Sequence, residues 1–174
     1  MNIIGIIPAR MESTRFPGKP MAEILGMPMI GHVYHRCIMS KSLDEVYVAT
    51  CNREIYNYIN SIGGNSIMTS NSHERASDRA SEALIKIEKS LNKKFDIVVM
   101  LQGDEPMIVP EMIDKAVEPL IKNKSINVSN LMSKIKSEDE LNDANEVKVV
   151  FDQNNDALYF SREPIPSRKN FFGE

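Results

Sequence analysis

At 174 residues, with 42% hydrophobic and 26% charged side chains, the chain has the composition of one compact domain with a real core, which excludes a disordered or fibrous protein. Its 21 basic and 24 acidic residues leave a formal net charge of -3. That balance argues against a general nucleic-acid coat, whose binding rests on many Lys and Arg contacts to phosphate. Two cysteines, Cys37 and Cys51, are too few for a disulfide framework, and neither has a Cys or His at metal-ligand spacing.

A reducing compartment is therefore expected. No apolar run approaches the roughly 20 residues of a membrane span, and Met1-Asn2 leads straight into a strand pattern without a basic leader. The expectation is a cytoplasmic protein with no membrane span.

In chain order, the apolar run Ile3–Ile7 reads as a buried strand. Ile30, Val33, Tyr34, Cys37 and Ile38 follow at helical spacing. The β-branched run 46–50 predicts a second strand, and Ile55, Ile59 and Ile62 a second helix. Ser66-Ile67-Met68 reads as a short strand, and Ala80, Ala83, Leu84, Ile87 and Leu91 mark one face of a longer helix. Ile97–Leu101 reads as a fully buried strand, and a helix is expected from Pro110 with Ile113, Ala116, Val117, Leu120 and Ile121 inward. Such a βαβα alternation requires crossover helices, so the predicted class is α/β, a mostly parallel sheet covered on both faces.

After about residue 126 the elements shorten: 128–132, a polar stretch over 137–145, and 147–151 joined to 157–161 through Asp152-Gln153-Asn154-Asn155-Asp156. Asn and Asp favour that turn, so a β-hairpin excursion is expected there. No repeat, low-complexity tract or linker interrupts the chain, and residues 1–174 are read as one domain. Met29, Met100 and Met112 fall in apolar patterns and are read as gap-filling core residues. His32 and His35 are read as surface residues, and the two cysteines as structural.

Four stretches carry candidate chemistry. In 8–20, PARMESTRFPGKP, a strand delivers the chain to a loop with Arg10, Arg15 and Lys19 within ten residues, opposed by Glu12. Ligands of open α/β sheets bind beyond the carboxyl ends of strands, and a polyphosphate has the charge to organise three cations. A solvated basic loop is the alternative; the spacing of a Walker A loop is absent. In Gln102-Gly103-Asp104-Glu105-Pro106, a carboxylate follows the predicted strand 97–101. Mg²⁺ takes one carboxylate with phosphate oxygens and waters, although a lone Asp-Glu pair after a strand is more often an ordinary turn or helix-capping group. Ser72-His73-Glu74 precede a helix start, with Arg75 and Arg79 one turn apart. Ser161-Arg162 ends the last predicted strand, where a guanidinium could meet a carboxylate.

The first stretch closely resembles the P-A-R-x-x-S-T-R-x-P-G-K-P signature of the 3-deoxy-manno-octulosonate (Kdo) cytidylyltransferases, sugar nucleotidylyltransferases of GT-A-like Rossmann type. Leu101–Pro106 resembles their L-Q-G-D-E-P. Residues 145–166 are similar to N-x-V-K-V-V-x-D-x-x-G-x-A-L-Y-F-S-R-x-x-I-P, although the Gly of that pattern is absent here. His73–Arg79 is similar to H-x-S-G-T-[DE]-R, with Arg75, Ala76 and Ser77 in place of Ser, Gly and Thr. The CMP-sialic acid synthetases, with a Gly-rich segment after the Arg, are the second resemblance.

The resemblance implies a three-layer GT-A-like sandwich. It implies transfer of CMP from CTP to Kdo or a close acidic sugar, with release of pyrophosphate, for lipopolysaccharide synthesis. It implies nucleotide contacts from Ala9, Arg10, Ser13, Arg15, Lys19, His73, Asp78, Arg79 and Gln102, and acceptor contacts from Arg15, Gln102 and Arg162. Asp104 becomes a Mg²⁺ ligand, and Arg10, Lys19 and Asp104 the catalytic set. Family members run well beyond this length, so a second metal carboxylate and a dimer-forming region are expected to be missing, with the resemblance admitting a homodimer. A CTP-binding domain without catalysis and a purely structural domain remain open alternatives.

Overall fold

The computed structural model describes residues 1–12 and 16–167. Its contacts fall into two compact units, Met1–Ser129 and Asn130–Glu174, where the sequence reads as one domain. The division follows the change of pattern near residue 126, since the short elements beyond it pair among themselves.

The first unit is built on a four-stranded parallel sheet: β1 (Ile3–Ala9), β4 (Glu45–Thr50), β5 (Ser66–Met68) and β6 (Ile97–Met100), in the order β5-β4-β1-β6. Two small strands, β2 (Glu23–Ile24) and β3 (Met27–Pro28), form a separate antiparallel pair before the first helix. Helices α1 (Met29–Cys37), α2 (Arg53–Ser61), α3 (Ala76–Leu91) and α4 (Pro110–Lys122) supply the other layers.

Strand alternation divides the core. Ile7, Ala9, Val46, Val48 and Leu101 point to one face and pack with Ile30 and Val33 of α1, Ile55 and Ile59 of α2, and Ile113 of α4. Ile4, Ile6 and Ala49 point to the other and pack under Ala80, Ala83 and Ile87 of α3. Burial of each such Val, Leu or Ile side chain contributes about 1.5–3 kcal/mol, which is why a central strand such as β1 reads as an unbroken apolar run. The result is the predicted three-layer α/β sandwich.

Several expectations change. β6 is an edge strand of this sheet, and Val98 and Met100, 41% and 45% exposed, share the face of Ile4 and Ile6 but lie beyond the strands that α3 covers. Met112 is likewise 46% exposed, so of the three methionines only Met29 fills the core. His32 is partly buried, its Nε2 hydrogen-bonded to Ile24 O at 2.7 Å, and His35 sits edge-on to the Tyr34 ring. Cys37 is fully buried, and burial pushes its thiol up to about 12, as suits a structural residue.

In the second unit, α5 (Glu138–Asn142) precedes a hairpin of β7 (Lys148–Phe151) and β8 (Ala157–Ser161). Asp152 organises the turn: its Oδ1 accepts from the amides of Asn154 and Asp156, and Asn155 takes the left-handed conformation. The stretch 128–132 forms no regular element. Among the described residues, no helix is long and apolar enough to cross a membrane.

One polar tie joins layers of the first unit. Asp114 of α4 accepts from Ser40 Oγ at 2.6 Å and from Ser42 N at 3.0 Å, in the loop between α1 and β4. The Ser40 bond, ahead of burial acting the other way, holds its carboxyl below the usual range. Asp114→Ala leaves these donors unpaired beside a helix, and a loss of roughly 1–3 kcal/mol is expected from chemical denaturation.

Candidate functional site

The sheet order fixes where a site can form. From β1 the chain steps to one side for β4 and β5, then crosses to the other for β6, so the order reverses between β1 and β6. Beyond the carboxyl ends of two such strands the following loops part and leave a crevice. Here that crevice has a volume of about 660 Å³ and is lined by Arg10, Glu12, Lys19, Gln102, Gly103 and Asp104 among others.

Each wall has its own support. After β1, Met11 N donates to Asn52 Oδ1 at 3.0 Å, and Asn52 Nδ2 donates to Glu12 Oε1 at 3.2 Å. Asn52 opens α2, yet its side chain makes no cap there because the neighbouring loop uses it. Glu12 is held below its usual pKa, first by a bond to its own backbone and then by Asn52, with Arg10 adding a smaller effect. Gly18 N closes the loop by donating to Met11 O at 2.9 Å. Gly18 takes a left-handed φ of 75° just before the short 3-10 turn Lys19–Met21, whose Pro20 is buried.

Across the crevice, Lys19 Nζ lies 2.8 Å from Asp104 Oδ2. The side chains are 35% and 51% exposed, so the pair contributes at most about 1 kcal/mol and separates readily when a stronger anion arrives. Gly103 permits the approach of the two walls. A Cβ there would lie 2.6 Å from the backbone oxygen of Pro8, which cannot move without disturbing β1.

A second opening of about 310 Å³ shares Arg10, Gln102 and Asp104 with the first and adds His73, Arg75 and Arg79. Arg79 departs from an exposed first-turn residue: it is 2% exposed, and its Nη1 donates to Thr69 Oγ1 at 2.5 Å and to Ser70 O at 3.2 Å. Its Nη2 is buried and has no hydrogen-bond partner among the described residues. Buried guanidinium donors are costly to leave unmet, and Arg79 is one of the residues that line this opening.

His73 Nε2 donates a short bond to Glu82 Oε2. Glu82 also accepts from Ser70 N at 2.9 Å and pairs with Lys86 at 2.6 Å. Led by the Lys86 bond and opposed by burial, these donors hold the Glu82 carboxyl down to about 2.

The geometry thus brings together Ala9, Arg10, Lys19, Gln102 and Asp104, with His73 and Arg79 beside them. Asp78 is exposed in the first turn of α3. Ser13 and Arg15, like Phe171 and Phe172, lie outside the described residues. Arg162 belongs to the second unit, where its Nη1 donates to Ala144 O at 2.8 Å and Asn145 O at 3.3 Å. Among the described residues, no three His, Cys, Asp or Glu side chains cluster as a metal cage. Asn52 and Glu82 escaped the sequence reading. A Glu in the second turn of a helix, with a His just before that helix, is the signal that could have found the second.

The family model for cytidylyltransferases matches residues 4–174. The chain belongs to this family. A curated relative from Thermodesulfovibrio yellowstonii, a 3-deoxy-manno-octulosonate cytidylyltransferase, is 47% identical over 99% of this chain and 68% of its own length. One of the same name from Geobacter metallireducens is 47% identical over 96% of this chain and 63% of its own. The chain thus spans about two thirds of these relatives. Among solved structures, a CMP:2-keto-3-deoxy-manno-octonic acid synthetase complexed with CTP superposes with a TM-score of 0.89 at 38% identity, covering 98% of this chain and 68% of that one.

Within this cytidylyltransferase fold, two outcomes follow from the site's geometry. Gly103→Ala forces Pro8 or the 102–104 loop to shift, and should lower the urea midpoint by the equivalent of roughly 1–3 kcal/mol at unchanged slope. Glu82, whose folded pKa lies below the ordinary 4.5, stabilises the fold fully above that value. This contribution is lost as pH falls through about 2, so the stability gap between the protein and Glu82→Gln should narrow over that window in acid titrations.

Proposed function

We propose that the chain transfers CMP from CTP to 3-deoxy-manno-octulosonate or a close acidic sugar, releasing pyrophosphate. The likeness to a synthetase complexed with CTP, over nearly all of this chain, carries the reading. The curated relatives' names supply the acceptor. The crevice supports it chemically, because it offers Arg10 and Lys19 at a strand-end loop facing Asp104.

In this reading Arg10 and Lys19 neutralise the triphosphate, together with Ser13 and Arg15 of the same loop. Lys19 leaves Asp104 for a phosphate oxygen at little cost, since their pair is solvated. Gln102 borders both openings and is assigned contacts to both substrates, and Arg79 and His73 border the space assigned to the nucleoside. Ala9 offers its backbone, Asp78 a carboxylate near the start of α3, and Arg15 and Arg162 the charges for the sugar's carboxylate. For Arg162 this requires Nη2 or Nε, as Nη1 serves the 144–145 carbonyls.

The anomeric hydroxyl attacks the α-phosphorus in line. The new C–O–P linkage forms as the bond from the α-phosphorus to the bridging oxygen breaks; pyrophosphate departs with that oxygen, and the hydroxyl proton passes to solvent. Fixed cations near the leaving phosphates stabilise charge as it develops.

Cytidylyltransferases of this kind generally use a divalent metal. Mg²⁺ is the ion proposed here, and Asp104 the residue to hold it. The site suits that ion, because Mg²⁺ keeps several waters and takes one or two carboxylates with substrate phosphates rather than an all-protein cage. When bound, it would supply further charge neutralisation to the phosphates. The proposed setting is the cytoplasm, the proposed assembly a homodimer, and residues 1–174 are proposed as a single nucleotidylyltransferase domain.

The test is pyrophosphate release from CTP with and without 3-deoxy-manno-octulosonate. Release should require the sugar and a divalent ion. Asp104→Asn should lower turnover by about a hundredfold or more while the protein stays folded. Sugar-independent release, or equal rates in the variant at saturating Mg²⁺, would overturn the assignment.

A further inference from the structure

We propose that Glu82 is a positioning residue for the nucleotide: it holds His73 at the mouth of the smaller opening. The inference rests on the reading of that crevice as a CTP site.

Glu82 lies in the second turn of α3, and each of its oxygens is committed. Oε2 accepts from His73 Nε2 and from Ser70 N, while Oε1 pairs with Lys86 one turn further on. Lys86 Nζ also donates to Met68 O at 2.9 Å, which ties the helix to the end of β5. The His73 and Glu82 side chains are 22% and 24% exposed, shielded enough for the contact to persist. Arg79, three residues earlier on the same helix, holds the same loop through Thr69 and Ser70.

The carboxylate therefore does more than anchor a loop. An ionised carboxylate only accepts, so it fixes the proton on His73 Nε2 and leaves Nδ1 as the ring nitrogen open to a ligand. Without Glu82 the imidazole would be free to rotate and to exchange tautomers. The nucleotide would then pay the entropy of ordering the ring. Lys86 provides the contrast: it touches the same carboxylate but borders neither opening.

The experiment is a double-mutant cycle read by calorimetry with CTP. His73→Ala and Glu82→Gln should each weaken binding by about 5- to 30-fold, with the double variant within about twofold of His73→Ala alone. Lys86→Met should lower the melting temperature yet keep the CTP dissociation constant within about twofold of the parent. Should Glu82→Gln lose its thermal transition, Glu82→Asp, which withdraws the carboxylate by one methylene, takes its place. Additive effects of His73 and Glu82, or a Lys86→Met loss equal to that of Glu82→Gln, would overturn the positioning role while CTP binding by the parent stands. A parent that binds no CTP would overturn the functional reading itself, and this inference with it.

Discussion

The close approach of two backbones, Gly103 against Pro8 O, is the constraint on which the site depends. β1 and β6 are parallel neighbours in register from Ile3 and Ile97, so their loops leave the sheet side by side. A side chain at 103 would spread those loops at the point where Lys19 meets Asp104. The charged pair is solvated and weak, and cannot hold the walls together by itself. The order of causes therefore runs from sheet register to backbone contact to charge placement.

The second wall has a different foundation. At the end of β5 the chain turns into a loop that meets α3 through two charged side chains of that helix, Arg79 and Glu82. Arg79 is buried and Glu82 half-buried, and both spend hydrogen bonds on Thr69, Ser70 and His73. Rigid elements thus carry polar groups to the crevice with few freely rotating bonds left to order. That limits the entropic cost of binding.

Periodicity made the elements legible. Ile3–Ile7 and the Ala80, Ala83, Ile87 face announced a buried strand and its covering helix, because apolar spacing reports burial directly. The same logic failed at β6, whose β-branched run looks fully buried though Val98 and Met100 are exposed. An apolar run does not state whether a helix reaches both of its faces. The basic loop and Gln102-Gly103-Asp104 were legible because charge and strand ends are local features. Asn52 and Glu82 were not: their partners lie 41 and 40 residues away for Asn52, and 12 and 9 for Glu82, and only the fold brings them together.

Lysines 19 and 148 illustrate why residue type alone does not assign a role. Lys148 is 4% exposed, and its ammonium donates to the carbonyls of Asp143, Glu146 and Arg162, filling its three donor positions within the second unit. A buried ammonium so satisfied has no donor left to offer a ligand, and it serves to close the 143–146 turn onto the hairpin. Among the described residues, Lys19 has one carboxylate partner, remains a third exposed, and keeps donors in reserve. Both residues sit in stretches that resemble family signatures, yet of the two only Lys19 has hydrogen-bonding capacity left to offer a ligand. A motif reports which side chain is present; its remaining donors decide whether it can act on a ligand.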